Sequence, residues 1–168
     1  MMNQVINVRP ECIDDINDIK KITIEAFKNH PHSNSTEDEI VARLRADNDL
    51  SVSLVAEVNG VVVGHIAFSK VKINNEFIQW YGLAPVSVKP EYQNQGVGSK
   101  LILSGLDAIR QLNAHGCVLL GEPEYYNKFG FKAYSQLILK GVPAEYFQAL
   151  VLSGKIPIGN VKYHSAFR

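Results

Sequence analysis

Residues 86–100 read Val86-Ser87-Val88-Lys89-Pro90-Glu91-Tyr92-Gln93-Asn94-Gln95-Gly96-Val97-Gly98-Ser99-Lys100. The run passes from a β-branched strand end, through Lys-Pro and a polar loop, into two closely spaced glycines and a helix. The helix is read from Val97, Leu101, Ile102, Leu106, Ile109 and Leu112, which share one face, and Gly116 is expected to end it as a left-handed residue. The first turn of a helix carries backbone N–H groups without partners and a partial positive charge. Glycines let a ligand approach that backbone, so the turn can hold a diphosphate without Lys or Arg.

Four readings compete for this turn. A nucleotide P-loop needs Gly-x-x-x-x-Gly-Lys-Ser/Thr, which Gly98-Ser99-Lys100-Leu101 does not supply. A dinucleotide fingerprint fits Gly96 and Gly98 but finds Leu101 at its third place. It also belongs at the start of a βαβ unit, not after a series of hairpins. The coenzyme A loop, Gln/Arg-x-x-Gly-x-Gly/Ala, is matched by Gln93, Gly96 and Gly98. A turn that simply requires glycine is the bland alternative.

Upstream, Phe77–Val88 reads as a long strand in which Pro85 removes a ladder donor and so predicts a bulge or break. Ser51–Val58 and Val61–Ser69 are β-rich runs joined by Asn59-Gly60, a strong hairpin signal, and a second turn lies near Asn74-Asn75. Val5–Val8 reads as a first strand. Ile13, Ile16, Ile19, Ile22 and Ala26 form one face of a first helix. His30–Asn34 is a loop, and Thr36-x-x-Glu39 predicts a capping box opening a second helix that buries Ile40, Val41 and Leu44.

Downstream, Cys117–Leu120 is a short apolar strand, Tyr125–Phe129 a short helix stopped by Gly130, and Phe131–Tyr134 the start of another strand. Ala144–Leu152 is an apolar patch and Val161–Phe167 a strand-like tail. The order predicts a single α/β domain over residues 1–168, with one mixed, mostly antiparallel sheet flanked by helices.

The loop, the strand before it and Lys89-Pro90 resemble the acetyl-CoA motif of the GNAT superfamily of N-acetyltransferases. Tyr125-Tyr126-Asn127-Lys128-Phe129-Gly130-Phe131 resembles that superfamily's Tyr-x-x-x-Gly-Phe segment. Gly121-Glu122-Pro123-x-Tyr125-Tyr126-x-x-Phe129-Gly130-Phe131 and Val161-x-Tyr163-His164-x-Ala166-Phe167 are similar to a bacterial branch of acetyltransferases. The resemblance spans almost the whole chain. It implies that the fourth and fifth strands, Phe77–Val88 and Cys117–Leu120, start side by side and then splay. The pantetheine arm would lie in the gap beside Val86, Ser87 and Val88, a form of strand addition. Gln93, Asn94, Gln95, Gly96, Val97, Gly98 and Ser99 would hold the diphosphate of acetyl-CoA, the acyl donor.

The implied chemistry is transfer of an acetyl group to a primary amine of a small molecule or peptide. Such a transfer needs a polarised carbonyl, an amine without its extra proton, and a proton donor for the departing thiolate. The resemblance places Tyr126 in the donor role, and a phenol with a pKa of about 10 is protonated at neutral pH. Tyr125 reads as packing. Gln79–Leu83 offer neither acid nor His, so Glu122 or a water chain is left to take the amine's proton. That missing base is the feature favouring the alternative, a non-catalytic acyl-CoA-binding or sensing module. Asn127 carries no role over. Lys100 and Lys128 are candidates for a phosphate contact.

No metal is expected: His30 and His32 lack a visible third ligand, and His65 and His164 read as structural. Cys12 and Cys117 read as buried free thiols rather than a disulfide framework. Lys plus Arg and Asp plus Glu are 17 each, which gives no general attraction to nucleic acid or anionic membranes. No apolar run reaches the ~18 residues of a membrane span. The N-terminus lacks a signal-peptide pattern, so a cytoplasmic location is the expectation. A second copy of the chain is kept as a candidate partner.

Overall fold

The computed structural model describes residues 5–31 and 33–167. In chain order the elements are β1 (Ile6–Pro10), α1 (Ile16–Phe27), α2 (Glu37–Ala46), β2 (Val52–Val58), β3 (Val61–Ile73), β4 (Glu76–Val88) and α3 (Val97–Gln111). There follow β5 (Gly116–Leu120), α4 (Pro123–Tyr126), β6 (Lys132–Ala133), β7 (Leu137–Ile138), β8 (Phe147–Val151) and β9 (Gly159–Lys162). The sheet runs β1-β2-β3-β4-β5-β8-β6, and β9 joins the far end of β3 while also pairing with β7. The β4–β5 and β7–β9 pairs are parallel and the rest antiparallel, so the mixed, mostly antiparallel sheet is as expected.

Both predicted hairpins form. Asn59 and Gly60 have φ of 53° and 76°, and Asn74 and Asn75 have 52° and 65°, the left-handed pairs that suit the twist of two-residue turns. The second hairpin extends β3 beyond Ser69 to Ile73. One face of the sheet takes α3. Leu101, Ile102 and Ile109 are fully buried there, and an added Cβ on Gly105 would stand 2.2 Å from the Phe68 ring. Each such side chain contributes about 1.5–3 kcal/mol of transfer free energy. The other face takes α1 and α2, where Ile19, Ile22 and Val41 cluster with Val55 and Val62.

Several local expectations need correction. Ile13 is 85% exposed, because residues 13–15 form a separate 3-10 turn ahead of α1. That turn is held by Asp15, which accepts two hydrogen bonds from Arg9 at 2.7 and 2.9 Å and one from the Cys12 amide at 2.8 Å. The Arg9 guanidinium and the amide hold this buried carboxyl well below its usual range. Cys12 is exposed, whereas Cys117 is buried. The Thr36 side chain makes no cap bond, and only its carbonyl starts α2. At the end of α3, Leu112 is 43% exposed and the left-handed residue is Asn113, with φ of 63°. Gly116 serves packing instead: a Cβ there would lie 2.3 Å from the Trp80 ring.

Candidate active site

Parallel β4 and β5 share three rungs, Trp80↔Gly116, Tyr81↔Cys117 and Gly82↔Val118, and then part. Beyond Gly82, β4 stays with β3 as far as Val88, while β5 stays with β8 as far as Leu120. The parting coincides with a bulge. Leu83 and Val86 on β4 face Phe68 and Ile66 on β3, so β4 carries one extra residue at Ala84-Pro85. This is the expected splay, produced by the expected proline.

The fork has an unsatisfied edge. The Lys89 amide donates to the Val63 carbonyl at 2.8 Å, which fixes the alternation of the antiparallel β3–β4 ladder. Ser87 therefore turns its own N–H and C=O to β3, while Val86 and Val88 turn theirs into the fork. Val88 confirms this, since its carbonyl accepts from Gln93 Nε2 at 3.1 Å rather than from β3. Of the three strand residues singled out from sequence, Val86 and Val88 offer backbone to the gap and Ser87 anchors the strand.

The glycine turn lies at the wide end. Gly96 is left-handed at φ 89°, with open space where a side chain would be. The first intrahelical bond runs from the Lys100 amide to the Gly96 carbonyl, so the amides of Val97, Gly98 and Ser99 precede it. Val97 is buried against Gly64 and pins the turn to the sheet. Gln93 and Gln95 bond the carbonyls of Val88 and Glu91 at 3.1 and 3.0 Å and so brace the loop. Asn94 adds a left-handed residue at φ 63°. Lys100 is committed elsewhere, its Nζ donating to the Ile6 carbonyl.

The two tyrosines bridge the fork from its wide end to the end of β5. The Tyr125 hydroxyl lies 3.3 Å from where a Gly98 Cβ would stand, and Lys128 Nζ sits 4.1 Å above the Tyr125 ring. Tyr125 is thus a neighbour of the glycine turn, which its sequence context did not reveal. The signal was available only as Gly98, whose missing side chain makes room for it. Tyr126 lies at the other end, its ring 2.3 Å from where a Gly121 Cβ would be and edge-on to Phe131 at 6.1 Å. Burial, and secondarily Tyr125, pushes the Tyr126 phenol up to about 12. Glu122 follows Gly121. Its carbonyl accepts the amides of Tyr125 and Tyr126 at 3.1 Å each, and its side chain is exposed without a cap bond. Asn127 is exposed, its carbonyl capping the turn at Gly130.

An open cleft of about 1200 Å³ reaches the fork at Ala84 and Leu120. Tyr163 also lines it, and this ring lies 2.8 Å from where a Gly82 Cβ would be, at the last shared rung. Its hydroxyl is buried without a hydrogen-bond partner. His164 follows, and its Nδ1 accepts the Ala166 amide at 2.9 Å. The hydrogen therefore sits on Nε2, which points at Asp47 and Asp49 at 3.2 and 3.1 Å. These three could be taken for metal ligands. The Ala166 contact fixes the tautomer that cannot coordinate through Nε2, and the group instead ties the tail to the end of α2. His30 packs against Phe27 at 5.8 Å, and His32 lies outside the described residues. His65 is fully buried, with Nε2 2.8 Å from Ser53 Oγ, and burial lowers it to about 4. Among the described residues no helix is long and apolar enough to cross a membrane.

Comparison with known proteins agrees with this geometry. Residues 49–133 match the acetyltransferase (GNAT) domain family. The chain is 36% identical over 110 residues to the uncharacterized N-acetyltransferase YhbS of Escherichia coli K12, an alignment that spans 66% of that protein's length. It is 35% identical over 136 residues to the uncharacterized N-acetyltransferase YjhQ of the same organism, covering 79% of this chain and 71% of YjhQ. A GNAT family acetyltransferase from Brucella melitensis, crystallised with acetyl-CoA, is 46% identical, with a TM-score of 0.88 and coverage of 98% and 99% of the two chains. The crystal structure of YhbS with CoA superposes with a TM-score of 0.83 at 30% identity, over 99% of this chain and 93% of that one. The protein described here belongs to the GNAT superfamily of N-acetyltransferases.

Proposed function

We propose that this protein transfers the acetyl group of acetyl-CoA to a primary amine, with Tyr126 serving the departing sulfur. The β4–β5 fork carries this reading. Its backbone edge at Val86 and the Val88 amide, turned away from β3, suits the amides of pantetheine, and the α3 turn at its wide end suits the diphosphate. Tyr125 and Ser99 join that turn as ligands of the diphosphate. The Val86 amide, next to the bulge, is the donor that polarises the thioester carbonyl.

The amine nitrogen attacks the carbonyl carbon, the new C–N bond forms, and the C–S bond breaks with its electron pair leaving on sulfur. A full proton transfer from Tyr126 would be uphill. Its phenol is pushed up to about 12, and an ordinary thiol sits near about 8.5. The hydroxyl therefore acts as a hydrogen-bond donor to the developing thiolate, which is protonated afterwards from water. The amine's proton leaves through water at the open cleft, with exposed Glu122 at the end of β5 as the nearest carboxylate in sequence.

The test is thiol release from acetyl-CoA against a panel of amines, antibiotics, polyamines and peptides, together with thermal unfolding. At a hundredfold excess over its dissociation constant, acetyl-CoA should stabilise the native state by about 2.7 kcal/mol. NAD stabilising the fold more than acetyl-CoA at equal concentration would refute the reading.

A further inference from the structure

The open cleft that reaches the fork is basic, although the chain has no net charge. Four of the seventeen Lys and Arg line it, against one of the seventeen Asp and Glu. The lysines are Lys70 and Lys72 on β3, Lys140 after β7 and Lys162 on β9. The single acid, Asp49, lies 3.1 Å from His164 Nε2. Among the described residues none of the four ammonium groups is ion-paired.

Their placement sharpens the point. Lys72 and Lys162 stand directly opposite each other on the antiparallel β3–β9 pair. Like charges in that position repel, and no carboxylate offsets them. The contact that Lys72 does make is with the Phe77 ring, 5.1 Å from Nζ. Asn74, which also lines the cleft, is spent on structure, bonding the Ile158 carbonyl and the Asn160 amide at 3.0 and 3.1 Å. It holds β9, and with it Lys162, against β3. A concave wall with charges of one sign focuses its field and concentrates the opposite ion. The same cleft reaches Ala84 and Leu120 at the mouth of the fork.

We propose that the acceptor is a small amine whose own body carries carboxylate or phosphate groups. The lysines hold the anionic part while the amine reaches the fork, so this inference rests on the acetyl-transfer reading above. The anionic part takes no part in bond making. It orients the amine and raises its occupancy. The cleft volume, about 1200 Å³, accommodates an amino-sugar phosphate or an acidic amino acid whole.

The test pairs acceptors that differ in charge: glucosamine 6-phosphate with glucosamine, L-aspartate with L-aspartic diamide, and spermidine as a cationic control. Each is titrated calorimetrically into protein saturated with CoA, which fills the diphosphate turn. In at least one pair the anionic member should bind about tenfold more tightly or better, as expected of charge-assisted hydrogen bonds. The two pairs tell phosphate from carboxylate. Lys140→Glu/Lys162→Glu should abolish the preference while acetyl-CoA affinity stays within about twofold, because the sites are separate. Lys140→Gln/Lys162→Gln should act in the same direction with a smaller effect. Equal binding within both pairs, tighter binding of spermidine, or a preference that survives charge reversal overturns the proposal. A protein that fails to bind acetyl-CoA sinks the acetyl-transfer reading instead. The pairs are then titrated into the ligand-free protein, where the double variants still decide whether this cleft selects anions.

Discussion

Replacing Tyr126 by Phe separates the chemistry of its hydroxyl from the packing of its ring. The ring lies over Gly121, edge-on to Tyr125 at 4.9 Å and to Phe131 at 6.1 Å, and Phe keeps all three contacts. The hydroxyl has no hydrogen-bond partner among the described residues. Its loss leaves no protein group unsatisfied, so stability should change by less than about 1 kcal/mol. A hydrogen bond to a charged group contributes about 1.5–3 kcal/mol, so the single-turnover acetylation rate should fall about 10- to 150-fold. Complete proton transfer would permit up to about 10⁴-fold, but a phenol near 12 is too weak an acid for that. Acetyl-CoA affinity should hardly move, since charge develops on sulfur only in the transition state. Tyr125→Phe is the control, and it should raise the dissociation constant of acetyl-CoA about two- to tenfold with the rate preserved, as one lost hydrogen bond implies. Rapid mixing of enzyme–acetyl-CoA with excess amine measures both. The reasoning fails if Tyr126→Phe retains more than half the rate, or if Tyr125→Phe is the slower variant. The wild-type rate should also show no alkaline loss from this group below about pH 11, because the donor is lost only as pH rises through its raised pKa.

Three further outcomes follow from other positions. Gly98→Glu places a carboxylate beside the diphosphate turn, with its Cβ 3.3 Å from the Tyr125 hydroxyl; acetyl-CoA affinity by calorimetry should drop more than about tenfold while circular dichroism stays unchanged. Gly116→Ala drives a methyl to 2.3 Å from the Trp80 ring, which is 2% exposed; denaturant unfolding should show a loss of about 1–3 kcal/mol from overpacking. His65 is lowered from 6.5 to about 4 by burial, so the unfolded chain binds its proton first as pH falls. Its contribution is fully present above pH 6.5 and is lost between 6.5 and 4, a drop of about 3 kcal/mol in unfolding free energy. His65→Gln should flatten that slope in urea titrations at stepped pH, and an unchanged slope would place the proton elsewhere.

Much of the site was written locally. Asn59-Gly60 and Asn74-Asn75 determine their hairpins because their side chains tolerate left-handed backbone in a two-residue turn. Pro85 determines the bulge because it has no amide to give the ladder, and that bulge opens the fork. Gly96 and Gly98 determine the shape of the turn before α3 through the conformation and space their missing side chains allow. The local signals misled wherever a distant partner outweighed them. Gly116 looked like a helix end but is needed under Trp80, and Ile13 had the helical spacing but lies on a separate turn shaped by Arg9.

The basic cleft lay beyond sequence reading altogether. Lys72 and Lys162 are ninety residues apart and meet only because β9 returns to the far end of β3. Tyr163 reaches the last rung of the fork only because Gly82 leaves room for its ring. Periodicity and turn chemistry act between near neighbours along the chain, and from them the sequence alone determined the strands β1 to β5, the glycine turn and the family, whereas β7 went unread and the strand expected over Val161–Phe167 is β9 at Gly159–Lys162 followed by a 3-10 turn. An electrostatic field is a sum over positions in space. The charge of the cleft was therefore decided only when the tertiary structure brought those lysines together around it.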